Sequence, residues 1–168
     1  MDAIVLDFGN GEDAVEGECQ LEGYVGKILC LGFQHGVSMP MNWDVSNMKR
    51  TVGKTMHTDF QLTKKFEMSS PKLNYYCSIG KEFKAVKISC FQADGADDFM
   101  LFLEYTLDNV LISDLSISGG ASDVPIESMS LNYSKIKWVY KKQKTDAEQE
   151  GQIAYEFDMA AAKGAAAS

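Results

Sequence analysis

Positive charge is in short supply: 16 Lys and Arg stand against 24 Asp and Glu, for a formal net charge of -8 and a pI near 4.7. A nucleic-acid binder needs a basic face to displace the counterions of a phosphate backbone, so this balance argues against nucleic acid as a partner. Long apolar runs are missing as well. No stretch approaches the roughly 18 apolar residues of a membrane-spanning helix, and the start, MDAIVLDFGNGED, has no basic region ahead of an apolar segment. The expectation is a chain without membrane anchor or Sec-type signal peptide. The four cysteines, Cys19, Cys30, Cys77 and Cys90, form no CxxC pair, and two lie in apolar runs where a thiol behaves as a small hydrophobe. Buried free thiols, and folding in the cytosol, are expected in preference to a disulfide framework. Histidine is confined to His35 and His57, and neither has a cysteine or carboxylate cluster matched to it. No metal-ligand set and no trio of nucleophile, base and orienting group emerges, so neither catalysis nor a cofactor is expected.

Three stretches imitate known sites and fall short. GNGEDA, at 9–14, can be written GxGxxA after a strand, but Glu12, Asp13, Glu16 and Glu18 would surround a pyrophosphate with negative charge, and Gly17 breaks any helix there. Asp7, Asn10, Glu12 and Asp13 are calcium-ligand types without EF-hand spacing. SISGGASD lacks both the P-loop lysine and the GxSxG spacing, so it reads as a turn.

What remains is a pattern of strands. A chain of 168 residues is one ordinary domain, 1–168, able to bury a core without staples. The stretch FQLTKKFEMSSPKLNYYCSIG, 60–80, changes period: Phe60, Leu62, Lys64 and Phe66 alternate as in a strand, whereas Leu73, Tyr76 and Cys77 recur at helical spacing. Ser70 is placed as N-cap, Pro71 at the first helical position and Gly80 as the left-handed stop. Ala3 to Phe8 reads as a short strand. The run 24–39, with glycines at 26, 32 and 36, reads as one that bends or bulges, with Leu29, Leu31, Phe33 and His35 on one face and Ile28, Cys30, Gly32 and Gln34 on the other. His35 reads as a strand residue with an ordinary hydrogen-bond partner.

Later strands follow from alternation: 82–92 with Val86, Ile88 and Cys90 on one face, a turn signal at Asp94-Gly95, then 99–117 with an irregularity near Asp108-Asn109. Met129, Leu131 and Tyr133 occupy odd positions and Ile136, Trp138 and Tyr140 even ones, which requires one extra residue near Ser134-Lys135. The lysines at 135, 137, 141, 142 and 144 form either a solvated strand face or an electrostatic counterpart to the acidic corner of a neighbouring subunit. A last strand carries Ile153, Tyr155, Phe157 and Met159 on one side. The Ala-rich end, 160–168, has no core to join and is expected to be a flexible tail. The segment 40–54, PMNWDVSNMKRTVGK, has neither period, is longer than the usual connection, and is too apolar for a free solvent loop. It either folds back over its own core or makes intermolecular contacts. The fold class is thus mainly β, an antiparallel barrel-like domain of two packed sheets with one short helix and a long extended loop.

The stretch HTDFQLTKKFEMSSPKL, then a helix, a strand, the aromatic NYSKIKWVY and a closing IAYEFDM, resembles the Hcp (haemolysin-coregulated protein) family, inner-tube subunits of bacterial type VI secretion. The most specific part is the FxxTKxxxxSSPxL-like run at 60–73, and the similarity extends over about 3–159. The resemblance implies a homohexameric ring with a wide channel, rings stacked into a tube, and dealings with sheath, tip and baseplate proteins and with effectors. It implies no cofactor, no catalysis, assembly in the cytoplasm, and secretion without a signal peptide. Carried onto this sequence, it makes 40–54 the family's extended loop, with Met41, Trp43, Val45, Met48, Lys49 and Arg50 as ring or stacking contacts. It also turns the helix toward the channel and makes Gln34 a candidate lumen or cargo contact. The alternative reading of the residues is a monomeric β-barrel that binds a small apolar ligand.

Overall fold

Burial on both faces marks the first strand, Ala3–Asp7 (β1): Ile4 and Leu6 point one way, Val5 the other, and all three are buried. Each face therefore needs cover. In this computed structural model, which describes residues 1–44, Ser46, 49–93, 98–143 and 149–167, the inner cover is the main core and the outer cover is the segment 14–27. Cys19 packs there with Val5 and Phe91, and Tyr24 meets the Phe91 ring edge-on at 4.9 Å. The segment can lie this close because Gly17 has no side chain: a Cβ there would sit 2.4 Å from the Lys27 carbonyl oxygen.

The chain continues through Ile28–Cys30 (β2), Gly32–Gln34 (β3), Val37–Ser38 (β4), Met41–Asp44 (β5), Lys49–Val52 (β6), Met56–His57 (β7) and Phe60–Lys65 (β8). After the helix Ser70–Ile79 (α1) come Glu82–Ala93 (β9), Phe99–Ser118 (β10), Ile126–Asn132 (β11), Lys135–Gln143 (β12), Gln149–Asp158 (β13) and Lys163–Ala166 (β14). All pairings are antiparallel. They run β2 to β1, β1 to β9, β9 to β10, β10 to β11, β11 to β8 and β8 to β3. Because β2 and β3 are halves of one strand interrupted at Leu31, whose N–H donates to the Thr63 carbonyl at 2.7 Å, the circuit closes into a barrel. Its interior is filled by side chains that include Leu6, Ile28, Phe60, Leu62, Phe83, Ile88, Leu107, Met129 and Leu131. Closure removes most sheet edges, which is how antiparallel architectures avoid unwanted pairing. Beyond the barrel, β12, β13 and β14 continue as a second sheet from the first half of β10.

The fold has the mainly antiparallel β character and single helix expected of it, and the irregularities fall where parity demanded them. β11 and β12 lie end to end along β10, pairing with 111–118 and 103–108 respectively. Between them Tyr133 and Ser134 supply the extra length, and Tyr133 and Ile136 are both buried. Opposite, Asn109 takes φ 52 and donates through Nδ2 to Ser134 Oγ at 2.7 Å. The Asp94-Gly95 turn lies outside the described residues.

Four expectations are corrected. In 28–34 the inward residues are Ile28 and Cys30, then Phe33, so Leu29 and Leu31 stand exposed; the interruption at Leu31 switches parity in mid-run. In the last sheet Tyr140, Ile153 and Tyr155 are exposed, because β12 and β13 have left the barrel by that point and, among the described residues, the opposite face buries only Val139 and Ala154. The carboxyl end is an edge strand: β14 pairs with β13, and Ala167 N–H donates to the Ala154 carbonyl at 2.8 Å. Backbone pairing of this kind needs no apolar pattern, so alanines give no sign of it.

The helix start differs too. Gly80 ends α1 at φ 63 as expected, but Ser70 is the first helical residue and its side chain caps nothing within α1. Ser70 Oγ instead donates to Glu127 Oε2 at 2.6 Å and accepts from Lys64 Nζ at 2.8 Å and from the Glu67 N–H at 3.1 Å. Lys64 and Glu127 themselves pair at 2.6 Å with both side chains buried, and Asn74 Nδ2 donates to Glu127 Oε1 at 3.4 Å. This network, on inward positions of β8 and β11, ties the helix to the barrel. A buried ion pair is tolerated only when the remaining lone pairs and protons also find partners, and here Ser70 and Asn74 provide them.

Candidate interaction surface

The segment 40–54 had no period because it turns back on itself after a few residues. Its strands β5 and β6 pair with each other, Met41 opposite Val52, Asn42 opposite Thr51 and Trp43 opposite Arg50. Directly opposite residues share a face, so Met41, Val52, Trp43 and Arg50 line one side of the hairpin. All four are exposed, Trp43 at 70% and Val52 at 63%, and Arg50 Cζ lies 5.7 Å from the centre of the Trp43 ring. Asn42 and Thr51 occupy the other side, where Thr51 Oγ1 donates to the Asn42 carbonyl at 3.3 Å. Among the described residues these two strands pack chiefly on each other, so the hairpin does not fold back over the barrel core. Val45 and Met48 lie outside the described residues; Lys49 is placed by its backbone register opposite Asp44.

The hairpin stands on a short neck. β4 pairs with β7, Val37 opposite His57, while Gly36 N–H donates to Thr58 Oγ1 at 2.9 Å and Gly53 N–H to the Pro40 carbonyl at 2.8 Å. Beneath it the two histidines meet, ring centres 5.7 Å apart, inside a box of Phe60, Tyr133, Trp138 and Phe157. His57 stacks on Phe157 at 5.0 Å. The Tyr133 hydroxyl donates its single hydrogen to the Thr58 carbonyl at 2.8 Å, so the 2.7 Å contact with His35 Nε2 makes that nitrogen the donor. Burial lowers the pKa of both histidines, and for His35 the neighbouring His57 lowers it further. His35 thus has the ordinary partner expected of it. His57 Nδ1 is buried with no hydrogen-bond partner among the described residues.

Gln34, the expected lumen contact, is exposed on β3 opposite Gln61, apart from the hairpin face. Of the basic strand, Lys135 is paired within the chain, 3.1 Å from Glu156, and on the adjoining strands Lys87 lies 3.8 Å from Glu104; Lys144 lies outside the described residues. In the acidic turn Lys27 Nζ reaches Asp7 at 2.7 Å and Asn10 Oδ1 at 3.1 Å, so two of the calcium-type side chains already hold a cation of the chain itself. Among the described residues no three His, Cys, Asp or Glu side chains converge as a metal site, and no helix is long and apolar enough to cross a membrane.

Sequence reasoning missed an apolar groove of about 390 Å³ at the far end of β8, lined by Leu29, Leu31, Phe66 and Val124 with Glu18, Lys65 and Glu67 around it. A strand period put Leu29 and Leu31 on one face with Phe33. Only the parity switch at Leu31 turns them out to join Phe66 and Val124.

A family model described as type VI secretion system effector, Hcp, matches residues 6–140. The chain belongs to the Hcp family. Its members are tube proteins of type VI secretion, and the resemblance read from the run at 60–73 and the aromatic strand is thereby shown. Protein hcp1 of Pseudomonas aeruginosa is 33% identical over 94 residues, covering 55% of this chain and 57% of that protein. The match thus spans little more than half the length of this curated relative. In three dimensions the chain is similar to a structure titled as a type six secretion system protein, with TM-score 0.86 at 22% identity, covering 97% of this chain and 99% of the other. It is also similar to Hcp1 from Salmonella typhimurium, with TM-score 0.76 at 20% identity over 97% and 98% of the two chains. A type VI secretion effector from Yersinia pestis gives TM-score 0.72 at 21% identity over 92% and 98%. Identities this low speak for the fold alone, a barrel with one helix shared along nearly the whole length.

Proposed function

We propose that this chain is a ring-forming structural subunit of the type VI secretion tube, closing into a homohexamer whose rings stack and carry or chaperone effectors. It acts without cofactor or catalysis. It assembles in the cytoplasm, engages sheath, tip and baseplate proteins, and leaves the cell with the tube. Family membership supports the tube role. The observation that carries self-assembly is the hairpin, whose large exposed apolar side chains on a polar chain are the type that anchor protein contacts. Met41, Trp43 and Arg50 are its contact residues, with Val45, Met48 and Lys49 beside them in sequence. The exposed Tyr140, Ile153 and Tyr155 offer a separate apolar surface for neighbours within a ring, since closed rings need heterologous contacts distinct from those that stack them. Gln34 is the channel-side contact for cargo.

Light scattering followed by negative-stain imaging tests the reading. Six copies of an 18.6 kDa chain give a particle of about 112 kDa, with rings in the images. A strictly monomeric species at high concentration, with no rings, overturns it.

A further inference from the structure

We propose that a groove between the hairpin neck and the second sheet is a binding site for a small organic acid, a carboxylate carried on a compact apolar body. The site does not rest on the tube reading, and its test needs no assembly.

The groove, of about 390 Å³, is separate from the filled interior of the barrel. Val37 and Met39 line it from the neck, Trp138 and Phe157 from β12 and β13, and His57 lies among them. Val37 is 54% and Met39 42% exposed, so this apolar lining is open to a ligand. The volume is at the small end of the range for small-molecule sites, with room for one ring or a short alkyl chain.

Two side chains give the groove its polarity. The His57 ring is held by stacking, its centre 5.0 Å from Phe157 and 6.0 Å from Trp138, so its Nδ1 has a set direction. That nitrogen is buried and makes no hydrogen bond among the described residues, an arrangement that is unfavourable until a partner arrives. A neutral imidazole can donate or accept at Nδ1, depending on tautomer. Lys54 decides between the two. It lines the groove from an exposed position and pairs with no carboxylate among the described residues, so it favours an anion, which accepts from Nδ1–H.

The surrounding charges allow this. Burial is the one cause that lowers the His57 pKa, so no described carboxylate bears on the ring. The acidic residues nearest to it in the box are engaged elsewhere: Asp59 accepts from Ser113 Oγ at 2.6 Å and Asn132 Nδ2 at 2.9 Å, and Asp158 from the Ala160 and Ala161 N–H groups at 2.8 and 3.0 Å. Thr55, also in the lining, donates its hydroxyl hydrogen to the Ser38 carbonyl at 3.4 Å. That leaves two donors for the ligand, His57 and Lys54. Two donors match the two oxygens of a carboxylate, whereas a phosphate would keep oxygens unsatisfied against the apolar lining.

Trp138 reports on the groove by its fluorescence. The chain has two tryptophans, and Trp43→Phe, at an exposed position, leaves Trp138 as the one indole. In that background the probes are sodium octanoate, neutral 1-octanol and cationic octylamine. Octanoate is expected to shift the Trp138 emission saturably and to bind at least about tenfold tighter than octanol, with octylamine weaker still. Lys54→Gln, at an exposed position, and His57→Phe, which keeps a ring for stacking, are each expected to weaken octanoate about tenfold and to leave octanol within about twofold. Circular dichroism checks that each variant folds, and Lys54→Gln carries the test if His57→Phe does not. Equal affinity for octanoate and octanol makes the groove a surface for hydrocarbon only and overturns the acid. No saturable change up to about 10 mM octanoate overturns the site, as does an octanoate effect that survives the substitutions.

Discussion

At the scale of single residues, the histidine pair under the hairpin neck couples the surface to pH. Both pKa values are lowered from 6.5, first by burial, so the folded protein binds fewer protons than the unfolded chain between its lowered values and 6.5. The stabilisation from keeping the rings neutral is complete above pH 6.5 and is lost as pH falls through the folded values. Thermal melts are expected to show stability falling on acidification below pH 6.5, and His57→Gln is expected to flatten that dependence. An identical pH profile in the variant would show that other groups dominate. The sequence disclosed that the chain has two histidines and that His35 lies on a strand. It held no sign of their meeting, because 21 positions and a hairpin intervene between them.

Among elements, the joint between β8 and α1 is the most instructive. The alternation Phe60, Leu62, Lys64 already placed a lysine inward, and Glu127, Met129 and Leu131 placed a carboxylate inward on the strand that proves to be its neighbour. The two inward charges of opposite sign were thus legible one at a time, while their 2.6 Å contact was not, since pairing of β8 with β11 is a long-range event. Lys64→Met alone leaves a buried carboxylate and is expected to cost roughly 3–5 kcal/mol in denaturant unfolding. Lys64→Met with Glu127→Leu removes both charges and is expected to recover most of that loss. A double variant no better than the single would show that Ser70 and Asn74, left without partners, matter as much as the ion pair. The bulge at Tyr133 and Ser134 was readable from parity because one strand on one barrel keeps a single inside. The faces of β13 were not, because Ile153 and Tyr155 alternate as a buried strand would while lying beyond the barrel.

At the scale of the molecule, charge is divided. A chain of net charge -8 carries Arg50 and Lys54 in and beside the hairpin and pairs Lys135 of β12 with Glu156 on the adjoining strand. If the cations in and beside the hairpin meet carboxylates of a neighbouring ring, part of the stacking energy is screened by salt, whose Debye length falls from about 10 Å at 0.1 M to about 3 Å at 1 M. Apolar contacts survive such screening. Sedimentation at rising sodium chloride is therefore expected to shorten stacks before rings come apart, and Arg50→Gln is expected to lessen the salt effect. Rings lost at the same salt as stacks would mean that one kind of contact serves both.

Local pattern was enough to determine the class of fold, the position of the helix and its Gly80 stop, the two irregularities near 109 and 134, and the family. Each follows from neighbours a few residues apart, where period, cap and motif are written in order. The tertiary structure alone decided which alternating faces meet the core, that the carboxyl end pairs as an edge strand, that Lys64 finds Glu127, and that an exposed hairpin and an apolar groove lie at opposite ends of β8. Those outcomes depend on which strand comes to lie beside which, and the sequence around any one residue carries no record of a partner brought in from across the barrel.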